Sequence, residues 1–344
     1  MSRQLAGEAG LVGISVLNWN GWRDTVECLK SILQLDYMNY LTIIVENGSG
    51  DGSAERLKAW ASESLGPEGI FAEYSREEAL AGGKPATEGA LDRATSPSRI
   101  VMIQSGENLG FAGGHNVAIH YALHRRAAAD FVFLLNNDAF VRPGSLRELV
   151  AIAEKTEAGL VGTRPTAILR EFFRPLLGSA GHCKEFEEGS AVCDTVGGEA
   201  MLASAAALRR IHESAGRYLD PDLFMYGEEL DLGGALRQAG YQARLAQGVG
   251  VAHAGGGASG GRFNPLAYYY LNRNYIILAK RLLPVRLRGP FHVWNFAMSV
   301  LRIARNLLHW RVRSACAIAQ GWLDGYRGMR GKWENHDRLA KIQS

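Results

Sequence analysis

The sequence predicts an α/β chain: a mostly parallel central sheet covered by helices, with a helical extension at its C-terminus. Two observations carry this. Short, β-branched apolar runs alternate with helix-forming stretches over residues 11–150, the pattern of strands joined by crossover helices. Three of those strands end in a polar, glycine-containing turn and the fourth in Asn136-Asn137-Asp138, at the strand ends where open parallel sheets bind ligands. The chain of 344 residues exceeds the roughly 250 at which one core stops growing, so a large domain with an appendage, or two domains, is expected.

The first strand is LVGISVLNWN, and Asn18 to Gly21 turns it into the helix DTVECLKSIL with Asp24 as its cap. LTIIVENGSGDGS repeats the arrangement: a buried strand ends at Glu46 and Ser53 starts the next helix. Residues 61–97, with GPEG, AGGK and SPS, are the least patterned and read as an excursion or insertion. The strand RIVMIQ, the loop GENLGFAGGH, a helix through NVAIHYALHRRA and the strand DFVFLLNND follow. Beyond residue 150 come a strand-like GLVGTRP, then GGEAMLASAAAL, then FMYGEELDLGGALRQAGY, a loop entering a helix capped by Gly240. GVGVAHAGGGASGG reads as a strand running into a glycine-rich loop. Residues 1–280 are read as the main domain and 281–344 as a basic, amphipathic helical extension.

Composition excludes several classes. With 47% hydrophobic and 21% charged residues the chain is an ordinary globular one. Cys28, Cys183, Cys193 and Cys316 form no CxxC, so no zinc knuckle or disulfide framework is expected and a reducing cytoplasm fits. No leader precedes the first apolar run and no apolar run reaches 18 residues, so neither a secretory signal nor a spanning helix is expected. The net charge of +3 hides an asymmetry: 13 basic against 3 acidic side chains from Lys280 onward, and 25 against 32 before it.

Four clusters carry chemistry. Asn136, Asn137 and Asp138 end a buried strand, and period-two geometry puts Asn136 and Asp138 on one face, where two oxygens could meet one hard cation; an Asx turn is the plainer alternative. Glu46 and Asn47 end the second strand, where a carboxylate can accept the imide N–H of a pyrimidine base. Asn108, Gly110, Gly113 and Gly114 form a loop running into the helix that Asn116 opens, and its glycines permit close approach to a phosphate or sugar at a helix start. Glu228, Glu229 and Asp231 crowd three carboxylates beside an aromatic residue and a glycine, a costly arrangement unless they hold a helix N-terminus, a metal or a proton. His253 stands alone among aliphatic residues and is a further ligand if a cation is near.

Taken in order, LNWNG, ENGSGDGS, ENLGFAGGHN, LLNNDAF, FMYGEELDL, His253 and YYYLNRN resemble the family 2 glycosyltransferases, and most of all their rhamnosyltransferase-like branch. The resemblance spans about residues 11–280. It implies a GT-A fold with a Rossmann-like nucleotide-binding half and an acceptor half, a nucleotide-sugar donor, Mg2+ or Mn2+, and inversion at the anomeric carbon. By that resemblance Asn136 to Asp138 correspond to the metal motif, with His253 an added ligand, and Glu229 stands at the catalytic base, flanked by Glu228 and Asp231. Asn18, Asn20, Glu46, Asn47, Asn108, Gly110, Gly113, Gly114, Asn116, Asn136 and Asn137 become the donor-binding candidates. Glu46 and Glu229 are each one methylene longer than the family's usual Asp, and Glu199 in GGEAML departs from its small-residue pattern on the acceptor side.

The implied activity is transfer of a hexose, from dTDP-rhamnose or a UDP-hexose, to a hydroxyl of a glycan or lipid-linked acceptor in cell-surface polysaccharide synthesis. A sugar-phosphate nucleotidyltransferase would need a basic, glycine-rich loop after the first strand, where NWNGW stands; a dehydrogenase would need GxGxxG. A non-catalytic scaffold would not need Asp138, Glu229 and Asp231. For the basic tail, Val293, Phe296, Ala297, Val300, Leu301, Ala304, Leu307 and Leu308 follow helical spacing. That face fits a membrane surface on the cytoplasmic side, the body of the chain, or a second subunit in a homodimer, and spacing alone does not choose. Nucleic acid lacks a matching motif.

Overall fold

A computed structural model of the chain describes residues 9–66, 69–94, 99–166, 168–173, 186–187, 189–253 and 264–334. In the first half, β1 (Val12–Asn18), α1 (Trp22–Ile32), β2 (Tyr40–Glu46), α2 (Ser53–Ser64), β3 (Ile70–Ser75), α3 (Arg76–Leu80), α4 (Pro85–Arg93), β4 (Arg99–Gln104), α5 (Gly110–His124) and β5 (Phe131–Asn136) alternate. Then come β6 (Ala139–Val141), α6 (Ser145–Thr156), β7 (Leu160–Gly162), β8 (Pro165–Thr166), α7 (Ile168–Phe172), β9 (Ser190–Cys193), β10 (Thr195–Val196), β11 (Ala200–Ser204) and α8 (Ala205–Ala215). The chain continues through α9 (Glu228–Gln238), β12 (Ala243–Ala246), β13 (Val251–His253), α10 (Pro265–Leu282), α11 (Val285–Leu308) and α12 (Val312–Arg327).

One nine-stranded sheet runs in the order β3-β4-β2-β1-β5-β11-β7-β12-β9. From β3 to β5 every pairing is parallel. β11 is antiparallel to both β5 and β7, and β9 to β12. This is the mostly parallel, helix-covered α/β sheet expected, with the strand direction changing in the second half.

Strand alternation divides the core into two layers. On β2, Leu41, Ile43 and Val45 pack with residues of α5 and α8, while Tyr40 and Ile44 pack on the opposite face with α1 and α6. At Gly114, close approach decides the residue: a Cβ there would lie 2.3 Å from Leu17 Cδ1, so the glycine lets α5 lie against β1.

Three sequence expectations change. Residues 61–97 carry the sheet's edge strand β3 and a helix α3 with a complete capping box between Ser75 and Glu78. The short, partly exposed strand offered too little apolar pattern to be read. Helix α5 begins at Gly110, so Gly113 and Gly114 are helical and not in a loop; the three glycines within 110–114 disguised the start of the helix because glycine is a poor helix former. Asp24 lies in the first turn of α1, whose N-cap is Gly21.

The expected limit at residue 280 falls inside α10, which packs extensively with α12. Phe291 of α11 joins Phe172, Phe173, Leu223 and Leu278 in a third cluster that ties the C-terminal helices to the loop before α9. The glycine-rich loop expected after residue 254 and the last ten residues of the extension lie outside the described residues. Among the described residues no helix is long and apolar enough to cross a membrane, and Cys28 and Cys316 are free thiols.

Candidate active site

Parallel register brings the strand ends together: Asn18 lies beside Glu46, Leu17 beside Asn136, and Glu46 beside Gln104. Above them opens a cavity of about 320 Å³. Asn47, Asn108, Gly110, Asn136, Asn137, Asp138, Glu228 and Glu229 all line it, from the ends of β2, β4 and β5 and the start of α9. Asn18, Asn20, Glu46, Gly113, Gly114, Asn116 and Asp231 do not.

Asparagines in the cavity wall and behind it hold its loops. Asn18 accepts from the Thr25 hydroxyl at 2.8 Å and donates to Ser49 Oγ at 3.2 Å. Asn20 adopts φ +51° and accepts from Gly50 N at 2.9 Å. Asn47 accepts from Leu109 N at 3.1 Å and donates to Gly110 O at 3.2 Å, which joins the β2 and β4 loops. Asn116 exchanges two bonds of 2.9 Å with the Leu219 backbone. Asn137 donates to Thr25 Oγ1 at 3.0 Å. Asn18 and Asn47 are buried with both amide ends satisfied, which makes them rigid supports.

Glu46 is buried and turned to its own loop, accepting from Ser49 N at 2.9 Å and Gly48 N at 3.2 Å. It lines a separate hollow of about 490 Å³ with Gly48, Ser49 and Gln104. Gly48 has φ +72°, and a Cβ on it would lie 2.6 Å from the Glu107 carbonyl carbon, so this turn requires glycine.

The three carboxylates of α9 separate. Asp231 is buried away from the cavity, where Arg217 Nη1 meets it at 2.6 Å and Arg281 at 3.1 Å; Arg281 also pairs with buried Asp220. That network fastens α9 to the end of α10. Glu228 is buried against the cavity, and its Oε1 has no hydrogen-bond partner. Burial, and then the Glu229 charge beside it, push the Glu228 carboxyl up to about 8. Glu229 is half-buried, and burial holds its carboxyl above the ordinary carboxylate range while the Arg164 charge pulls the other way. Two adjacent carboxyls in a low-dielectric site do not ionise together cheaply.

The loop ahead of α9 is strained and clamped. Phe224 and Tyr226 have φ of +64° and +68°, rare for bulky residues. Asn274 holds that loop by donating to the carbonyls of Leu223, Met225 and Tyr226 at 3.0, 2.8 and 2.7 Å. Fully buried Arg273 donates to Leu223 O at 2.8 Å and Gly331 O at 2.6 Å, with its guanidinium 4.8 Å from the Tyr270 ring. Phe111 N donates to Phe224 O at 2.6 Å, and a Cβ on Gly110 would lie 2.3 Å from that oxygen. The YYYLNRN motif therefore shapes the backbone that delivers Glu228 and Glu229.

For a divalent cation, the chemistry of the donor set is the test. Asp138 and Asn136 offer hard oxygen atoms on the cavity wall. The backbone of His253 pairs with Ala139, next to Asp138. Among the described residues no group of three His, Cys, Asp or Glu side chains forms a cage. Such a partial oxygen set fits Mg2+ or Mn2+, which take one or two carboxylates and complete their shell with phosphates and water. Below it, burial and then the Asp138 charge push the Cys28 thiol up, so that thiol stays protonated and inert.

Sequence reasoning missed Trp19, Phe111, Met225, Tyr226 and Arg164, which also line the cavity. Arg164 donates to both Glu199 oxygens, at 2.8 and 2.7 Å, from 35 positions away. The departure noted at Glu199 was the available signal: a carboxylate among small residues needs a cation.

Residues 81–189 match the sequence profile described as Glycosyl transferase family 2, a stretch that holds the Asn108 and Asn136–Asp138 motifs. No curated protein sequence matches the chain. Among solved structures, the mannosyltransferase PcManGT from Pyrobaculum calidifontis, in complex with GDP-Man and Mn2+, is similar with a TM-score of 0.54 at 13% identity, covering 93% of this chain and 88% of that one. S. aureus TarS 1-349 in complex with UDP-GlcNAc aligns with a TM-score of 0.49 at 12% identity, covering 92% of each chain. The first of these likenesses speaks for the fold, and the profile match is to residues 81–189. The chain thus carries a glycosyl transferase family 2 segment within a GT-A fold.

Proposed function

We propose that the chain is an inverting glycosyltransferase. It would move a hexose from a nucleoside-diphosphate donor, dTDP-rhamnose or a UDP-hexose, to a hydroxyl of a glycan or lipid-linked acceptor in polysaccharide synthesis, acting in the cytoplasm or on the membrane's cytoplasmic face. The observation that carries the reading is the cavity itself: Asp138 with Asn136 on one wall and the paired carboxyls of Glu228 and Glu229 on another. One wall suits a diphosphate and its cation, the other a proton to be removed.

Asp138 and Asn136, with His253 as an added ligand, would hold Mg2+ or Mn2+, whose charge offsets that gathering on the diphosphate leaving group. The Asn47 and Asn108 loops, fixed to each other at 3.3 Å, form the donor wall. An acceptor hydroxyl is a poor nucleophile at neutral pH and needs a base. Glu229 is assigned that task because it is half-exposed to the cavity and burial raises its carboxyl, which makes it a stronger proton acceptor. Glu228, its carboxyl pushed up to about 8 by burial and the Glu229 charge, is the member of the pair that keeps its proton at neutral pH. Arg164, fixed by Glu199, borders the side from which an acceptor would enter. Attack from the face opposite the leaving group inverts the anomeric centre.

Thermal unfolding with a panel of nucleotide-sugars, with Mn2+ and with chelator, tests this first. A metal-dependent rise in Tm with one donor is expected, and its absence for every donor would refute the reading.

A further inference from the structure

Helix α11 (Val285–Leu308) is amphipathic in the inverse sense. Its polar residues Asn295, Ser299 and Asn306 face the protein and are buried. Ser299 Oγ lies 3.2 Å from Asn272 Oδ1 of α10, and Asn295 Oδ1 and Asn306 Oδ1 are buried with no partner. Its apolar residues face outward: Val293 is 73% exposed, Phe296 54%, Val300 47%, Leu301 61% and Leu308 80%. Apart from Phe291 and Trp294, which pack with the third cluster, the hydrophobic side of this helix is the outer one.

At 100° per residue, the outward apolar residues from Val293 to Leu308 share an arc of about 140°, with exposed Arg305 about 40° beyond its edge and exposed Arg286 in line with it near the helix start. Three exposed turns of large apolar residues exceed the scattered single exposures normal on a globular surface. Phe296 touches Trp322 of α12, with ring centroids 5.6 Å apart, but neither the body of the chain nor α12 covers Val293, Val300, Leu301 or Leu308.

Charge says what does. From Arg281 to Leu323 the chain has seven arginines and no aspartate or glutamate. Arg286 and Arg305 are exposed, and Trp310, just past the helix, is 86% exposed. A second copy seated on this face would set arginines against arginines with no acid to answer them. An anionic lipid surface supplies the apolar boundary and the negative headgroups together, and tryptophan favours that interface.

We propose that α11 lies in the plane of an anionic membrane, its apolar arc in the acyl boundary and its arginines among the headgroups. The helix lies on the membrane and does not cross it, in keeping with its hydropathy. Lipid binding requires no turnover, so its failure would leave the transferase reading standing.

Flotation of the full chain with vesicles of phosphatidylcholine alone, or with added phosphatidylglycerol, tests it. The chain should float with the anionic vesicles, less at high salt. Phe296→Asp with Leu301→Asp should reduce that at least tenfold, and Arg286→Glu with Arg305→Glu likewise; both pairs are exposed, so unfolding temperatures should be unchanged. A wild-type chain left unbound by anionic vesicles, or variants that float as well as it does, would overturn the proposal. So would a stable dimer in solution that Phe296→Asp with Leu301→Asp dissolves.

Discussion

The cavity wall at α9 and the outer helix α11 treat polarity in opposite ways. At α9, costly carboxyls are brought inward and left partly unsatisfied around an open space: Glu228 is buried with a bare Oε1. At α11, amides and a hydroxyl are brought inward while valine, leucine and phenylalanine are left outside. Both arrangements lose stability in water, and each makes sense only with something absent from the chain itself. A carboxyl wall calls for a proton or a cation, an apolar face for a nonaqueous neighbour. The two departures from ordinary burial thus mark two different partners.

The largest expected effect lies at the wall. Glu229→Gln should lower transfer by about 100- to 10,000-fold, the range of a general base, while donor binding, read by thermal shift, persists. Equal turnover in that variant would move the base to Glu228. Next is the clamp beneath. Asn274→Ala removes three hydrogen bonds to the loop carbonyls and should cost about 2–4 kcal/mol at roughly 1 kcal/mol or more per bond lost. Urea unfolding would register it, and an unchanged midpoint would show that the loop holds itself.

A pH series sharpens the comparison. A carboxyl raised from 4.5 to about 8 on folding holds its proton in the folded chain where the unfolded chain has lost it. Its stabilising contribution is full below about 4.5 and is lost as pH rises through 8. Glu228→Gln has no such loss, so its Tm advantage over wild type should widen from pH 5 to pH 8; a constant difference would mean Glu228 is not held neutral. The smallest effect is expected at α11. Val300→Ser should move the unfolding free energy in buffer by no more than about 0.5 kcal/mol, as exposed substitutions do. A larger loss would show that the face is covered by the chain after all.

Much of the sheet was legible because strand and helix periods are local. The runs at 12–18, 40–46, 99–104 and 131–136 are apolar enough to read as buried strands without knowing their neighbours. The motif residues at their ends were legible for the same reason, since a parallel sheet places strand ends together. β3 was not, because an edge strand is half solvated and its pattern is weak. The start of α5 was hidden by glycines chosen for packing against Leu17 and Phe224. Arg164 was invisible because its partner lies 35 positions on.

By itself, then, the sequence determined an α/β sheet, the order of its motifs and the amphipathic period of the tail, all properties of neighbouring residues. Tertiary structure alone decided that Asp231 turns to Arg217 and Arg281 while Glu228 and Glu229 turn to the cavity. It also decided that α11 presents its apolar side outward. The reason is the same in both cases: a helix pattern specifies two faces, and only the partners brought from distant parts of the chain select which one is buried.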